Sequence, residues 1–314
     1  MIKIVELSEA ERQDIRAMLL QIKQDSQSVD ETWFLEHCPV FAHELPRRIR
    51  SIFHDFRTKE CPSCILVKNN PITSEDISPT PSFHRRRGEI HQLKLGQFLH
   101  GLYMSLLGEP FGFRSQQNGR VFNDLIPIQN CPANSSSGHG DVGFHTEDCI
   151  QPFMPDYLGF LCLRNEEKAK TKLSSITELT IPEETVDVLF QNIFPRFKGS
   201  NKVPDSGQQG MSALFGDRAR PYLRYGSFNE AAFTPAAHEA LSLLSAQLKE
   251  KARTVILEQG DCLYVDNFYT VHGRVAYEPR YDGTGRWFCR LVANRDLRKL
   301  RTLRESPECR IISG

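Results

Sequence analysis

Tyr264-Val-Asp-Asn-Phe-Tyr-Thr-Val-His272-Gly-Arg274, then Tyr281-Asp-Gly-Thr-Gly285, then Arg286-Trp-Phe-Cys-Arg290, is the stretch on which the fold turns. The two apolar arms are rich in β-branched and aromatic residues, and Asp282-Gly283 between them is a hairpin signal. The pattern predicts two antiparallel strands. Side chains alternate along a strand, so Arg286 and Arg290 fall on one face, turned toward the side that carries His272. Trp287 falls on the opposite face and packs behind the strand. Outward from this point the same texture recurs. Val121–Ile128, Leu158–Leu163, Tyr222–Phe228, Thr254–Leu257, Cys262–Val265 and Phe288–Ala293 are short apolar stretches separated by Gly, Asn, Asp and Pro. They predict a sandwich or barrel of short strands. Helical inserts are expected at 182–194, with Pro182 at the start, and at 235–252, with Thr234 as N-cap and Pro235 at the first helical position.

The N-terminal third reads differently. Residues 7–24 carry Ser8 and Glu11 at capping-box spacing, with Ile15, Met18, Leu19 and Ile22 on one face. Further helices are expected at 42–56 and 91–107, and a strand at 61–68. A polar loop over 71–89 contains Arg85-Arg86-Arg87. A second polar loop is expected within 196–220. No linker interrupts the chain. The expectation is a single domain, 1–314: a helical layer with first strands over 1–109, a β core with helical inserts over 110–300, and a tail over 301–314. The class is mainly β with helical additions flanking the core.

Composition narrows the function. Lys+Arg and Asp+Glu both number 39, so the formal charge is zero. Binding nucleic acid through its phosphates calls for a basic excess, so no nucleic-acid partner is expected. No run approaches 18 apolar residues, and the first residues lack the blocks of a signal peptide, so no membrane association is expected. Nine cysteines at irregular spacing, several within apolar runs, predict reduced thiols and a cytoplasmic location. Cys61-Pro-Ser-Cys64 has no second pair of metal ligands nearby and reads as two structural thiols at a strand start.

His145-Thr-Glu147-Asp148 follows a Gly-rich stretch, Asn134–Gly143. If 144–148 is extended, His145 and Glu147 share a face, and Asp148 faces away. An imidazole and a carboxylate at that spacing, joined by the distant His272, form the facial triad that holds Fe(II) in non-haem oxygenases. His-x-Glu alone is a weak signal. Arg286 and Arg290 near His272 strengthen it, because two buried guanidinium groups need anions. A diacid cosubstrate and an amino-acid substrate would supply them. The remaining His are expected in surface or satisfied core roles, and Arg274 and Arg280 in ion pairs with local acids.

His-Thr-Glu-Asp (145–148), Pro-Asp-Tyr-Leu-Gly (155–159), Cys-Leu-Arg-Asn (162–165) and Val-His-Gly-Arg (271–274) occur in order, followed by Arg-Tyr-Asp-Gly-Thr-Gly-Arg-Trp (280–287). With Leu107-Gly-Glu-Pro-Phe-Gly-Phe113 and Arg114–Arg120 upstream, this chain resembles clavaminate synthase-like Fe(II)/2-oxoglutarate oxygenases. The likeness is greatest to bacterial enzymes that hydroxylate free L-amino acids of the arginine and asparagine type at Cβ. It runs from about residue 60 to 300. The resemblance implies a double-stranded β-helix (a jelly-roll, cupin-like core) flanked by helices. It implies Fe(II) bound by His145, Glu147 and His272, with 2-oxoglutarate as cosubstrate and O2 as oxidant. Arg286, with Thr171, would hold 2-oxoglutarate, and Arg290 the substrate carboxylate. Gln117 or Gln116, and Ser135 or Ser137, would bind the substrate's polar backbone groups, and Tyr225 and Ser227 are further substrate-binding candidates. Hydroxylation with release of succinate and CO2, within specialised-metabolite or antibiotic biosynthesis, is the activity so implied.

One departure bears on the substrate. Arginine-specific relatives carry acids just after a Pro-Tyr-Leu-Arg-like strand, whereas Pro221-Tyr-Leu-Arg-Tyr-Gly-Ser-Phe-Asn229 has none before Glu230. That predicts a substrate whose side chain is neutral or is held in a different way. Upstream, Asp217 is expected to pair with Arg218. A carrier-tethered or dipeptide substrate and a desaturation outcome stay open. So do two other classes, a non-redox cupin-like metal enzyme and a non-catalytic binding barrel. Oligomeric state is not readable.

Overall fold

The computed structural model describes residues 1–26, 28–84, 95–149, 154–194, 210–226, 228 and 233–313. Chain order is β1 (Ile2–Glu6), α1 (Glu9–Asp25), α2 (Thr32–Ala42), α3 (Arg47–Lys59), β2 (Cys64–Lys68), α4 (Leu95–Ser105), β3 (Glu109–Phe113), β4 (Asn123–Leu125), β5 (Val142–His145), β6 (Tyr157–Arg164) and β7 (Lys170–Ser175). There follow α5 (Glu183–Leu189), β8 (Leu214–Gly216), β9 (Pro221–Leu223), α6 (Pro235–Glu250), β10 (Arg253–Ile256), β11 (Cys262–Asp266), β12 (Thr270–Arg274), β13 (Trp287–Asn294) and β14 (Ile311–Ile312).

Two sheets face each other as a jelly-roll. The larger runs β1-β2-β11-β6-β13-β3-β14, with β4 also paired to β13; the smaller runs β10-β7-β12-β5. Alternation decides which side chains enter the space between them. On β6, Leu158, Phe160 and Cys162 point inward, while Tyr157, Leu161 and Leu163 point to the helices. On β13, Phe288 and Val292 point inward, while Trp287, Cys289, Leu291 and Ala293 point to the helices. A third core lies beneath the smaller sheet, where α6 places Ala237, Leu241 and Leu244 against Val271 and Tyr269.

The helical layer is built as its patterns predict. The Ser8 hydroxyl accepts from the Glu11 amide and the Glu11 carboxylate accepts from the Ser8 amide, which caps α1. Arg48 of α3 grips the same carboxylate, and that hydrogen bond holds Glu11 down at about 2 despite opposing burial. Ile15, Met18, Leu19 and Ile22 are buried, each stabilising by about 1.5–3 kcal/mol. The helix expected at 42–56 is α3 alone, with Pro46 at its N-cap; a separate α2 precedes it. Pro39 inside α2, which cannot donate to the preceding turn, masks that helix in the sequence. Gly159 lets α4 approach the sheet: a Cβ there would lie 2.7 Å from Met104 Cε and 2.8 Å from His100 Cε1.

The predicted hairpin does not form. β12 pairs with β5 and β7 in the smaller sheet, whereas β13 pairs with β6, β3 and β4 in the larger. The connection 275–286 crosses from one sheet to the other. The two arms still face the same interior, because each sheet turns one face inward. Arg85-Arg86-Arg87 and most of 196–220 lie outside the described residues. No helix among the described residues is long and apolar enough to cross a membrane.

Candidate active site

β5 ends at His145, and the chain then turns instead of continuing extended through Asp148. The turn is held by two contacts the sequence did not signal. Thr146 exchanges bonds with Tyr225: its amide and hydroxyl donate to the Tyr225 carbonyl at 3.0 and 3.3 Å, and its hydroxyl accepts from the Tyr225 amide at 3.1 Å. Asn267, wholly buried, accepts from the Glu147 amide at 2.8 Å and donates to the carbonyls of Glu147 and Pro155 at 3.0 and 2.9 Å. Gly226, next along, has φ +102, and a Cβ there would meet His145 Cβ at 2.6 Å. This backbone conformation and close approach both call for glycine.

The result is a cluster. Ligand atoms of His145, Glu147 and His272 lie within 4.8 Å of one another, on the cavity face of the smaller sheet. His145 and His272 are cross-strand partners, their ring centroids 4.2 Å apart. His272 Nε2 is 3.5 Å from Glu147 Oε2. His145 Nδ1 faces the Gly143 carbonyl at 3.0 Å, which frees Nε2 for a ligand. Burial, reinforced by His145, lowers His272 to about 4, against the pull of Glu147. Burial would raise the Glu147 carboxyl, but Arg290, then His272 and His145, hold it well below the usual carboxylate range. Two imidazoles and one carboxylate are the donor set for a divalent transition ion. His145, Glu147 and His272 would hold such an ion.

Behind the cluster lies a cavity of about 280 Å³, lined by Glu147, Phe160, Thr171, Arg274, Arg286 and Arg290 among others. Arg286 is buried, and no described carboxylate is within ion-pair distance of its guanidinium. Its Nη1 reaches only the Leu125 carbonyl at 3.5 Å, and its Nε has no partner. Burial pushes its pKa down. Thr171 on β7 is buried and faces the same space. The site therefore presents a triad able to hold a metal ion beside a buried cation that stacks on the Phe288 ring at 4.0 Å and has no carboxylate partner among the described residues.

The sequence pattern of the Taurine catabolism dioxygenase TauD, TfdA family matches residues 202–292. Enduracididine beta-hydroxylase of Streptomyces hygroscopicus is 31% identical over 329 residues, covering 95% of this chain and 96% of that protein. The chain belongs to the clavaminate synthase-like Fe(II)/2-oxoglutarate oxygenases. L-ornithine/L-arginine 3-hydroxylase of Catenulispora acidiphila is 27% identical over 332 residues, covering 95% of this chain and 96% of that one. The crystal structure of the non-heme iron oxygenase OrfP with Fe and alpha-ketoglutaric acid superposes with a TM-score of 0.92 at 28% identity, covering both chains completely. The oxygenase thus works with Fe(II), 2-oxoglutarate and O2.

Several expected substrate residues stand elsewhere in this oxygenase. Gln117 is not free: its amide donates to the Asp124 carbonyl at 2.7 Å and accepts from the Asp124 amide at 2.9 Å. Gln116 accepts from Arg290 and donates to Asp148 at 3.3 Å. Arg290 directs Nη1 at Glu147 Oε1, 2.6 Å away, and Nη2 also at Asn123 Oδ1, 2.8 Å away. The Ser135 hydroxyl turns onto the Pro132 carbonyl at 2.7 Å, and the Ser137 hydroxyl onto His84 at 2.7 Å. Asn134 and Ser136, one residue to either side, reach the cavity instead. The tight turns of this loop carry no periodicity by which sequence could choose among neighbours. Tyr225 serves Thr146 through its backbone and packs its ring on the third core. Ser227 lies outside the described residues. Arg218 pairs with Asp187, while Asp217 caps the Ala219 and Arg220 amides. Trp287 is buried on the helix side as expected, donating to Asp124 at 2.8 Å.

Proposed function

We propose that this oxygenase hydroxylates a free L-amino acid with an uncharged side chain, at the carbon next to Cα. In this reading His145, Glu147 and His272 hold Fe(II). Iron and 2-oxoglutarate supply the oxidising power that puts one atom of O2 into a C–H bond and the other into succinate, with loss of CO2. Arg286 pairs with the distal carboxylate of 2-oxoglutarate, and Thr171 donates or accepts beside it. Arg290, whose guanidinium holds Glu147, Gln116 and Asn123 before substrate arrives, gives up part of these contacts to the substrate carboxylate. Fixing that carboxylate fixes which carbon faces the iron. Phe160 and Phe288 line the dry side of the cavity and exclude water.

The observation that carries this is the convergence of the triad beside a buried guanidinium with no acid partner among the described residues. The names of the relatives, a beta-hydroxylase and a 3-hydroxylase, support oxidation at Cβ. Among the described residues lining the cavity, Glu147 is the only carboxylate and three are arginines. That supports a side chain without positive charge. The first two cores share β2, β6, β11 and β13, and β12 of the third pairs with β7, whose Leu173 enters the second; this supports reading 1–314 as one domain. The nine cysteines form no disulfide among the described residues, which supports a reducing compartment such as the cytoplasm.

The test is incubation of the protein with Fe(II), 2-oxoglutarate, ascorbate and each free L-amino acid in turn. A neutral polar amino acid that gains ~16 mass units, with succinate formed in step, is the expected result. Succinate formation and product from arginine or lysine alone would overturn the charge assignment. No product from any amino acid would overturn the free-substrate reading.

A further inference from the structure

Arg274 lies two residues beyond His272 on β12, on the same face, with its guanidinium buried beside the cavity. The ion pair expected of it is absent among the described residues. It binds carbonyls of one loop instead: Ala133 at 3.2 Å, Ser135 at 3.1 Å, Ser136 at 3.2 Å, and Gly140 at 2.9 and 3.2 Å. Turns inside the loop add Ser135 N to Pro132 O, Gly138 N to Ser135 O and Gly140 N to Ala133 O. Downstream, the Tyr277 amide donates to the His139 carbonyl at 2.9 Å. The Tyr277 ring lies 5.5 Å from the Arg274 guanidinium and 5.8 Å from that of Arg286.

A buried cation is a costly way to shape a loop. Carbonyl dipoles compensate it only in part, and burial, followed by the neighbouring Arg286, lowers Arg274 to about 10. What the arrangement achieves is placement. The clamped loop sets Asn134 and Ser136 on the cavity wall, facing the space bounded by His145 and Arg286. The clamp grows from the strand that carries His272, so the wall is referenced to the iron.

We propose that Arg274 is a positioning residue that fixes loop 133–140 to β12, so that Asn134 and Ser136 form the wall that seats the oxidised substrate. This rests on the oxygenase reading above. The triad and Arg286 do not depend on the loop for their own contacts. Loss of the clamp therefore leaves 2-oxoglutarate consumption and loosens the substrate, so oxidation runs uncoupled.

The experiment compares wild type with Arg274→Met and Arg274→Lys. Hydrogen exchange at Ser135, Gly138 and Gly140, in the protein loaded with Mn(II) and 2-oxoglutarate, reads the clamp directly. The loop amides of Arg274→Met are expected to exchange at least ~10-fold faster, with Mn(II) affinity within about 2-fold of wild type. With the amino acid that wild type turns over, hydroxylated product per succinate is expected to fall at least ~5-fold, with KM for that amino acid raised. Arg274→Lys, which cannot fork to several carbonyls, is expected to lie between. Unchanged loop exchange, or faster exchange with unchanged coupling and KM, overturns the proposal. If wild type oxidises no free amino acid, the functional reading fails, and the exchange data alone decide whether Arg274 clamps the loop.

Discussion

Arg290 Nη1 lies 2.6 Å from Glu147 Oε1, and both side chains are largely buried. The ligand carboxylate thus has a cation before any metal arrives. Removing one partner of a buried pair leaves the other uncompensated. Arg290→Met is expected to destabilise the metal-free protein by about 3–5 kcal/mol. Mn(II) supplies the missing positive charge, so it should raise the Tm of Arg290→Met more than that of wild type. Thermal unfolding with and without Mn(II) checks this; an equal rise in both would contradict it.

Asn267 holds Glu147 by its backbone. Asn267→Ala deletes three hydrogen bonds and leaves the Glu147 amide and carbonyl unpaired in a buried site. The expected cost is about 2–4 kcal/mol, with weaker Mn(II) binding because the turn presenting Glu147 is freed. Denaturant unfolding and a Mn(II) titration measure the two effects.

Arg286 offers an unpaired Nε and a long Nη1 contact, so its polar capacity is largely unused. A charge-assisted bond contributes about 1.5–3 kcal/mol, which is roughly 10- to 150-fold in affinity. Arg286→Gln is expected to raise KM for 2-oxoglutarate by that factor. Mn(II) affinity should stay near wild type, because Arg286 contacts no ligand residue.

Asp266 makes the fold less stable as pH rises from about 4 to 7. Burial raises its carboxyl to about 7, against the bond it accepts from the Phe268 amide at 3.0 Å. The folded chain keeps the proton between about pH 4 and 7, where the unfolded chain releases it. Its contribution is therefore present below pH 4 and lost as pH rises to 7. Asp266→Asn preserves the acceptor and stays neutral. It should match wild type near pH 4 and exceed it by about 2–4 kcal/mol at pH 8, read from unfolding curves.

The legible parts of this protein are those with a local period. The strands β6, β11 and β13 announce themselves because a buried sheet needs alternate faces filled, and α1 because its cap and apolar stripe are contiguous. Residue type, spacing and the family resemblance together point to His145, Glu147, His272 and Arg286, and the fold brings all four to one cavity. What escaped is non-local. Asn267 meets Glu147 across 120 residues, and Thr146 meets Tyr225 across 79. The Asp282-Gly283 turn is real chemistry placed between different sheets, so a local hairpin signal misdirected the pairing. In sequence Arg274 reads as the partner of a local acid, because the carbonyls it binds have no side-chain signature.

Anaerobic titration of the protein with Fe(II), in the presence of 2-oxoglutarate, tests the central claim most directly. Wild type should bind one ion per chain. Glu147→Ala, verified as folded by circular dichroism, should lose that site and release no succinate. One ion bound with undiminished affinity by Glu147→Ala would contradict a centre built from His145, Glu147 and His272.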